Sequence, residues 1–262
     1  MASGTEENCL AVLSEIQRKR SLPPMSGRAV ILLHGIIRSS KSFSKLSRAI
    51  VNTGATVVPI DYPSTQVSIA ESAQYLKRVL SSLDGIDQID LIGHSMGGLI
   101  VRTYLQMEQE RRDARLHRLV MLGVPNLGAH MATLLHQHWA FRWTLGIAGQ
   151  QLVEGDSSFI STLPVPDLEF GVIAGGRGTA GGWNWWIPGD DDGTVTVEST
   201  RLPGAADFLT VRTLHTAMMW NLNVIEASLR FLKTGAFRED GIREPILSAV
   251  HRVAAHQALK DL

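Results

Sequence analysis

From residue 28 onward the chain alternates between short apolar runs and longer stretches in which apolar positions return every three or four residues. The short runs are too uniformly apolar to face water on one side, so they predict strands buried on both faces. The longer stretches predict helices with one apolar stripe. Strands read at Ala29 to Leu33, Thr56 to Ile60, Gln88 to Ile92, Arg118 to Leu122, Phe170 to Ala174 and Phe208 to Val211. Pro59 has no amide hydrogen to give a ladder, which predicts an edge position or a strand end for the second of these. Helical spacing covers Ser44 to Val51, Ile69 to Leu83, Gly97 to Gln109 and Thr216 to Leu232. The expected fold class is therefore α/β, a mostly parallel central sheet of about six strands built from right-handed βαβ units, with helices on both faces.

After Leu122 the alternation lapses for roughly forty residues, too long for a structureless loop. Asn126 to Pro164 reads as a short helical insertion whose apolar residues, among them Leu134, Leu135, Trp139, Phe141, Trp143, Leu145 and Ile147, follow no single stripe. Residues 1–27 read as an N-terminal extension with a short surface helix. Residues 238–262 read as an amphipathic helical tail with Ile246, Leu247, Val250 and Val253 on one side. Between them, 28–237 is expected to be one α/β domain interrupted at about 126–164.

Composition narrows the class of function. Lys+Arg 25 against Asp+Glu 25 leaves a formal net charge of zero, so no long-range field favours nucleic acid. Cys9 is the single cysteine, which excludes an internal disulfide and a cysteine-based zinc site. Glu6 and Glu7 stand where a secretory leader would be basic, and no run approaches the ~18 apolar residues of a membrane span. A cytoplasmic location without a membrane span is the expectation, with the oligomeric state left open.

A serine hydroxyl is a weak nucleophile at neutral pH and needs a base, a group that orients the base, and donors for the oxyanion. Gly93, His94, Ser95, Met96 and Gly97 form G-x-S-x-G directly after one predicted strand and directly before a helix, the context that lifts a serine above a sheet. The alternative is a glycine-rich turn with an inert serine. His34, Gly35 and Ile36 end the first strand, so Ile36 and Met96 are the expected backbone donors of an oxyanion hole. His34 itself is expected to make a structural hydrogen bond, and His94 to point away from the reaction.

Of the nine histidines, His215, His251 and His256 follow the acidic loop, and His215 alone falls between a strand and a helix. It is the candidate base. Within GDDDGTVTV, Asp192 is the preferred acid because Gly193 turns the chain there and Val195 and Val197 resume an apolar path, while Asp190 stays an alternative. The spare aspartates read as a solvated loop, since calcium needs six to eight oxygen ligands. No metal or organic cofactor is expected. Trp183, Trp185 and Trp186, just before this loop, either line the substrate pocket or pack the loop down.

LLHG of Leu32 to Gly35, GHSMGG of Gly93 to Gly98, GVPNLG of Gly123 to Gly128, DGTVTV of Asp192 to Val197 and HT of His215 and Thr216 resemble the bacterial α/β-hydrolase lipases and esterases. The resemblance spans about residues 28–237. It implies a catalytic triad of Ser95, Asp192 and His215, an oxyanion hole at Ile36 and Met96, and a lid at Asn126 to Pro164. Cleavage of small-molecule carboxylic esters of short to medium acyl chain is the implied activity, because the insertion is apolar but small. A thioesterase or acyltransferase on the same triad, or a non-catalytic binding module, are the alternatives.

Overall fold

The computed structural model describes residues 6–21, 24–135, 139–155 and 158–247. Six strands, β1 (Gly27–Leu33), β2 (Thr56–Ile60), β3 (Ile86–His94), β4 (Leu116–Leu122), β5 (Glu169–Gly176) and β6 (Asp207–Arg212), form one sheet in the order β2-β1-β3-β4-β5-β6. Every pairing is parallel, where the pattern promised only a mostly parallel sheet. β2 is an edge strand, which tolerates Pro59 because its second side has no ladder to complete.

Both sheet faces are covered, and the period of two in each strand distributes side chains between them. Ala29, Ile31 and Leu33 join the core with Leu91, Leu119, Met121 and Val172, while Val30 and Leu32 turn to the core that holds Ile92, Val120, Leu122 and Ile173. The helices α3 (Ile69–Ser81) and α4 (Met96–Met107) pack on the first face, and α2 (Ser44–Val51) and α8 (Leu222–Thr234) on the second, with the short α7 (Val197–Thr200) between β5 and β6 in the chain. Each fully buried leucine or isoleucine contributes roughly 1.5–3 kcal/mol of transfer free energy, so two cores are needed to hold so open a sheet. A side chain at Gly171 would collide with Phe237 and Phe231, which stack across the second face.

The order of strands reverses between β1 and β3: the chain leaves β1 for the edge, then returns past it. At such a switch point two neighbouring loops diverge above the carboxyl ends of the strands and leave a crevice. The loops there are residues 34–37 and the turn at Ser95.

Two expected helices differ. The stretch from Thr216 is divided into a 3-10 helix, His215–Trp220, and α8, because the Asn221 side chain accepts the Asn223 and Val224 amides and starts a fresh helix. Residues 238–247 are not helical, although an amphipathic helix was expected from 238. After α8 ends on Gly235 in the left-handed conformation, buried Asp207 captures the amides of Phe237 at 2.7 Å and Glu244 at 2.8 Å, and Ile246 exchanges backbone bonds with Gly204 and Ala205. Pro245 further disfavours helix at Glu244. The remainder of the expected tail helix lies outside the described residues. At the other end, residues Glu6–Arg20 form the helix α1.

Candidate active site

Ser95 sits between the last residue of β3 and the first of α4, with φ 54° and ψ −127°. A non-glycine residue in this region stores of order 1–3 kcal/mol of strain, which the surroundings must over-determine. They do so by a hydrogen bond from Ser95 N to Leu122 O at 2.9 Å and by close packing of the first turn of α4. A Cβ on Gly97 would lie 2.2 Å from Leu33 O, and one on Gly98 2.3 Å from Val124 Cγ2. Only glycine lets the helix approach the strand ends this closely, and the approach forces the bend that presents the serine.

His215 follows β6 and faces Asp192, with Nδ1 to Oδ2 at 2.6 Å and a second bond from His215 N to Asp192 O at 2.8 Å. A carboxylate only accepts, so Nδ1 carries the hydrogen and Nε2 keeps a free lone pair. The other carboxylate oxygen of Asp192 accepts the amides of Thr194 at 3.0 Å and Val195 at 2.8 Å. Asp190 instead accepts the amides of Arg177 and Gly178, and Asp191 those of Asn184 and Gly193. The expectation of a solvated loop is corrected for Asp191, which is fully buried; Asp190 is half-buried, and both aspartates hold backbone amides. Among the described residues no three His, Cys, Asp or Glu side chains gather as a metal site. His251 and His256 lie outside the described residues.

Ser95 and His215 line one cavity of about 390 Å³, together with Gly35 and Ile36 from the β1 loop. Within the described residues the Ser95 hydroxyl has no hydrogen-bond partner, and it opens on this space. The amides of Ile36 and Met96 likewise find no backbone acceptor among the described residues, and Met96 is the first residue of α4, where the helix dipole is positive. The apolar wall comes from the insertion, through Ala129, Ala132, Leu145 and Leu152. Its helices are α5 (His130–Leu135) and α6 (Trp139–Gln150), the latter kinked at Gly146.

Trp183, Trp185 and Trp186 do not line the cavity; they are 40%, 86% and 57% exposed. Asp191 grips the Asn184 amide, Ile187 is the buried member of the turn, and the indoles are left outside.

Three residues matter more than the sequence indicated. His94 does not turn away: its Nε2 lies 3.0 Å from His215 O, and its ring sits 4.7 Å from the His215 ring. Burial, then the neighbouring His215, holds its pKa well below the ordinary value. Its Nδ1 is buried without a partner among the described residues. Arg102, buried in α4, donates to Asn126 O, Leu163 O and Pro164 O, so one guanidinium ties both ends of the insertion to the helix behind Ser95. Burial lowers its pKa to about 10, which leaves it charged at neutral pH. Asn126, also buried, adds a bond from Nδ2 to Thr200 O at 2.9 Å. As expected, His34 is structural: Nδ1 donates to Gly35 O at 2.8 Å, the ring stacks on Tyr62, and the Tyr62 hydroxyl donates to His34 O. Asp61 lies 3.8 Å from His34 Nε2, but burial lowers the pKa of His34, and a neutral ring forms no ion pair.

Comparison with known proteins agrees with the architecture. The lysosomal thioesterase PPT2-B of Xenopus laevis is 30% identical over 122 residues, 43% of this chain and 41% of that protein. The sn-1-specific diacylglycerol lipase ABHD11 of Mus musculus is 32% identical over 108 residues, 38% of this chain and 34% of that protein. These matches thus span well under half of either relative. The Bacillus licheniformis lipase BlEst2 in its propeptide form superposes with a TM-score of 0.61 at 19% identity, over 87% of this chain and 53% of that one. The shared fold is the α/β-hydrolase fold. Residues 8–151, which include Ile36, Ser95 and Met96 and more than half of the chain, match the family described as "Domain of unknown function (DUF7379)", and the chain belongs to that family.

Proposed function

We propose that the protein is a serine hydrolase that cleaves carboxylic esters of short to medium acyl chain through an acyl-serine intermediate. One observation carries the reading: the His215 Nδ1–H is bound to Asp192, so its basic Nε2 is free in the same cavity as the unpaired Ser95 hydroxyl. In this reading Nε2 takes the Ser95 proton as the oxygen attacks the ester carbonyl, and returns it to the departing alkoxide. The amides of Ile36 and Met96 receive the oxyanion. Water, deprotonated by the same imidazole, then attacks the acyl-serine, and the imidazolium returns that proton to Ser95 Oγ as the bond to the acyl carbon breaks and the acid is released. Asp192 keeps the required tautomer and stabilises the transient imidazolium.

Residues 126–164 act as a lid, since Ala129, Ala132, Leu145 and Leu152 form the apolar wall against which an acyl chain would lie. A volume of about 390 Å³ is toward the small end for ligand sites, which favours modest chains. The thioesterase relative supports a second reading with a thiol leaving group on the same residues.

Turnover of p-nitrophenyl esters of graded acyl length, beside acyl-CoA thioesters, tests both. Each added methylene that finds apolar wall is worth up to ~0.8 kcal/mol, about fourfold in kcat/KM, until the cavity is full. Thioester turnover with inert esters would select the second reading. Failure of a fluorophosphonate to label Ser95 would overturn both and leave a non-catalytic module.

A further inference from the structure

We propose that the loop carrying Trp183, Trp185 and Trp186 docks the protein on an anionic lipid surface beside the mouth of the Ser95 cavity. The indoles are set outward by a built turn. Asn184 Oδ1 accepts the Trp186 amide at 3.1 Å, the Ile187 amide returns to Asn184 O at 2.9 Å, and Asn184 N is held by Asp191. Trp185 and Trp186 meet edge to face at 5.4 Å, so they brace each other while remaining exposed. The turn is tied to the cavity wall through Asn184 Nδ2 and Gly193 O, one residue before the cavity-lining Thr194. Exposed Leu214, adjacent to His215, packs beside Gly193, and exposed Ile37 lines the cavity.

Charge and shape identify the occupant. Asp191 and Asp192 are buried and half-buried Asp190 is bound to the Arg177 and Gly178 amides, whereas the side chains of Arg177 and Arg212 are exposed with their guanidinium carbons 5.7 and 5.8 Å from the Trp183 ring centroid. Neither arginine has a carboxylate partner among the described residues. An indole flanked by two guanidinium groups, Trp183, in the same loop as two further exposed indoles suits the boundary where acyl chains meet anionic headgroups. A side chain 86% exposed, as Trp185 is, stands clear of the protein on most sides. A flat protein partner would cover one side of it, whereas a lipid surface surrounds it.

The test is independent of ester cleavage, because full-length Ser95→Ala protein is used and binding is the readout. Co-sedimentation is measured with vesicles of phosphatidylcholine alone and of phosphatidylcholine mixed with phosphatidylglycerol. The expected result is partitioning onto the mixed vesicles that falls by at least about tenfold in Trp185→Ala/Trp186→Ala. Arg177→Gln and Arg212→Gln should each cost about fivefold on mixed vesicles and little on neutral ones. Circular dichroism and the melting temperature control for folding. Equal partitioning of the parent and the double tryptophan variant overturns the proposal, as does failure of the parent to bind either vesicle. Loss of a lipid-free dimer in the tryptophan variant also overturns it, in favour of a second copy covering the loop.

Discussion

His94 Nε2 lies 3.0 Å from the main-chain carbonyl of His215, so the residue immediately before Ser95 also braces the residue proposed as the base. A carbonyl accepts only, which fixes the Nε2–H tautomer of His94. Burial keeps that ring neutral, so it adds no positive charge against an imidazolium at His215.

His94 should therefore act as a positioning residue. His94→Ala is expected to lower kcat by about tenfold to a hundredfold with little change in KM, the scale of a small misplacement of reacting groups. His94→Gln, which can keep a donor toward His215 O, should recover most of the loss. Steady-state kinetics on one ester decides it, and equal kcat for parent and alanine variant would remove the role.

Stability should fall as the medium becomes mildly acidic. In the folded chain burial holds His34 and His94 below their ordinary value of 6.5, whereas both protonate near 6.5 once unfolded. Below that pH the unfolded state binds more protons, so acid favours unfolding, by at most about 1.4 kcal/mol per pH unit for each ring. Urea denaturation between about pH 5 and pH 7 should show this slope, and it should be shallower in His94→Gln than in the parent.

The aspartates should separate by function. Asp192→Asn is expected to reduce kcat by up to about four orders of magnitude, because an amide can donate to Nδ1 and reverse the His215 tautomer. Asp190→Asn should leave kcat within a few fold and lower the melting temperature, since Asp190 holds the Arg177 and Gly178 amides. The opposite ranking of kcat would move the acid to Asp190.

Arg102 should control the insertion without touching substrate. Arg102→Met leaves the carbonyls of Asn126, Leu163 and Pro164 without their donor, at an expected cost of roughly 2–4 kcal/mol of stability. KM should rise more than kcat falls, because the insertion supplies the apolar wall. Arg102→Lys cannot reproduce the planar fork and should fall between the two. Unfolding curves and KM measured together check this, and an unchanged KM would separate the clamp from the cavity.

Local rules reached far into this fold. The strand Thr56–Ile60 and the helix Ser44–Val51 have the bounds their apolar spacing predicts, and of the edge position or strand end that Pro59 allowed, the edge is found. Residue 95 was legible as a bend because glycines bracket it between strand and helix. The same rules failed at 238–247, where apolar spacing suited a helix but Asp207, far away in sequence, claims the amides. They failed again at the tryptophans, since which side of a turn faces the protein depends on Asp191 and Ile187.

The sequence by itself determined an α/β architecture with a mostly parallel sheet, the bend at Ser95 and the short set of acids and bases that could serve it, because periodicity and glycine sterics act over a few residues. Only the tertiary structure decided that Asp192 rather than Asp190 meets His215, that His94 supports it, and that Arg102 fastens the insertion. Those pairings join positions distant along the chain, and which carboxylate or carbonyl a buried donor finds is settled by where the sheet delivers each loop in space.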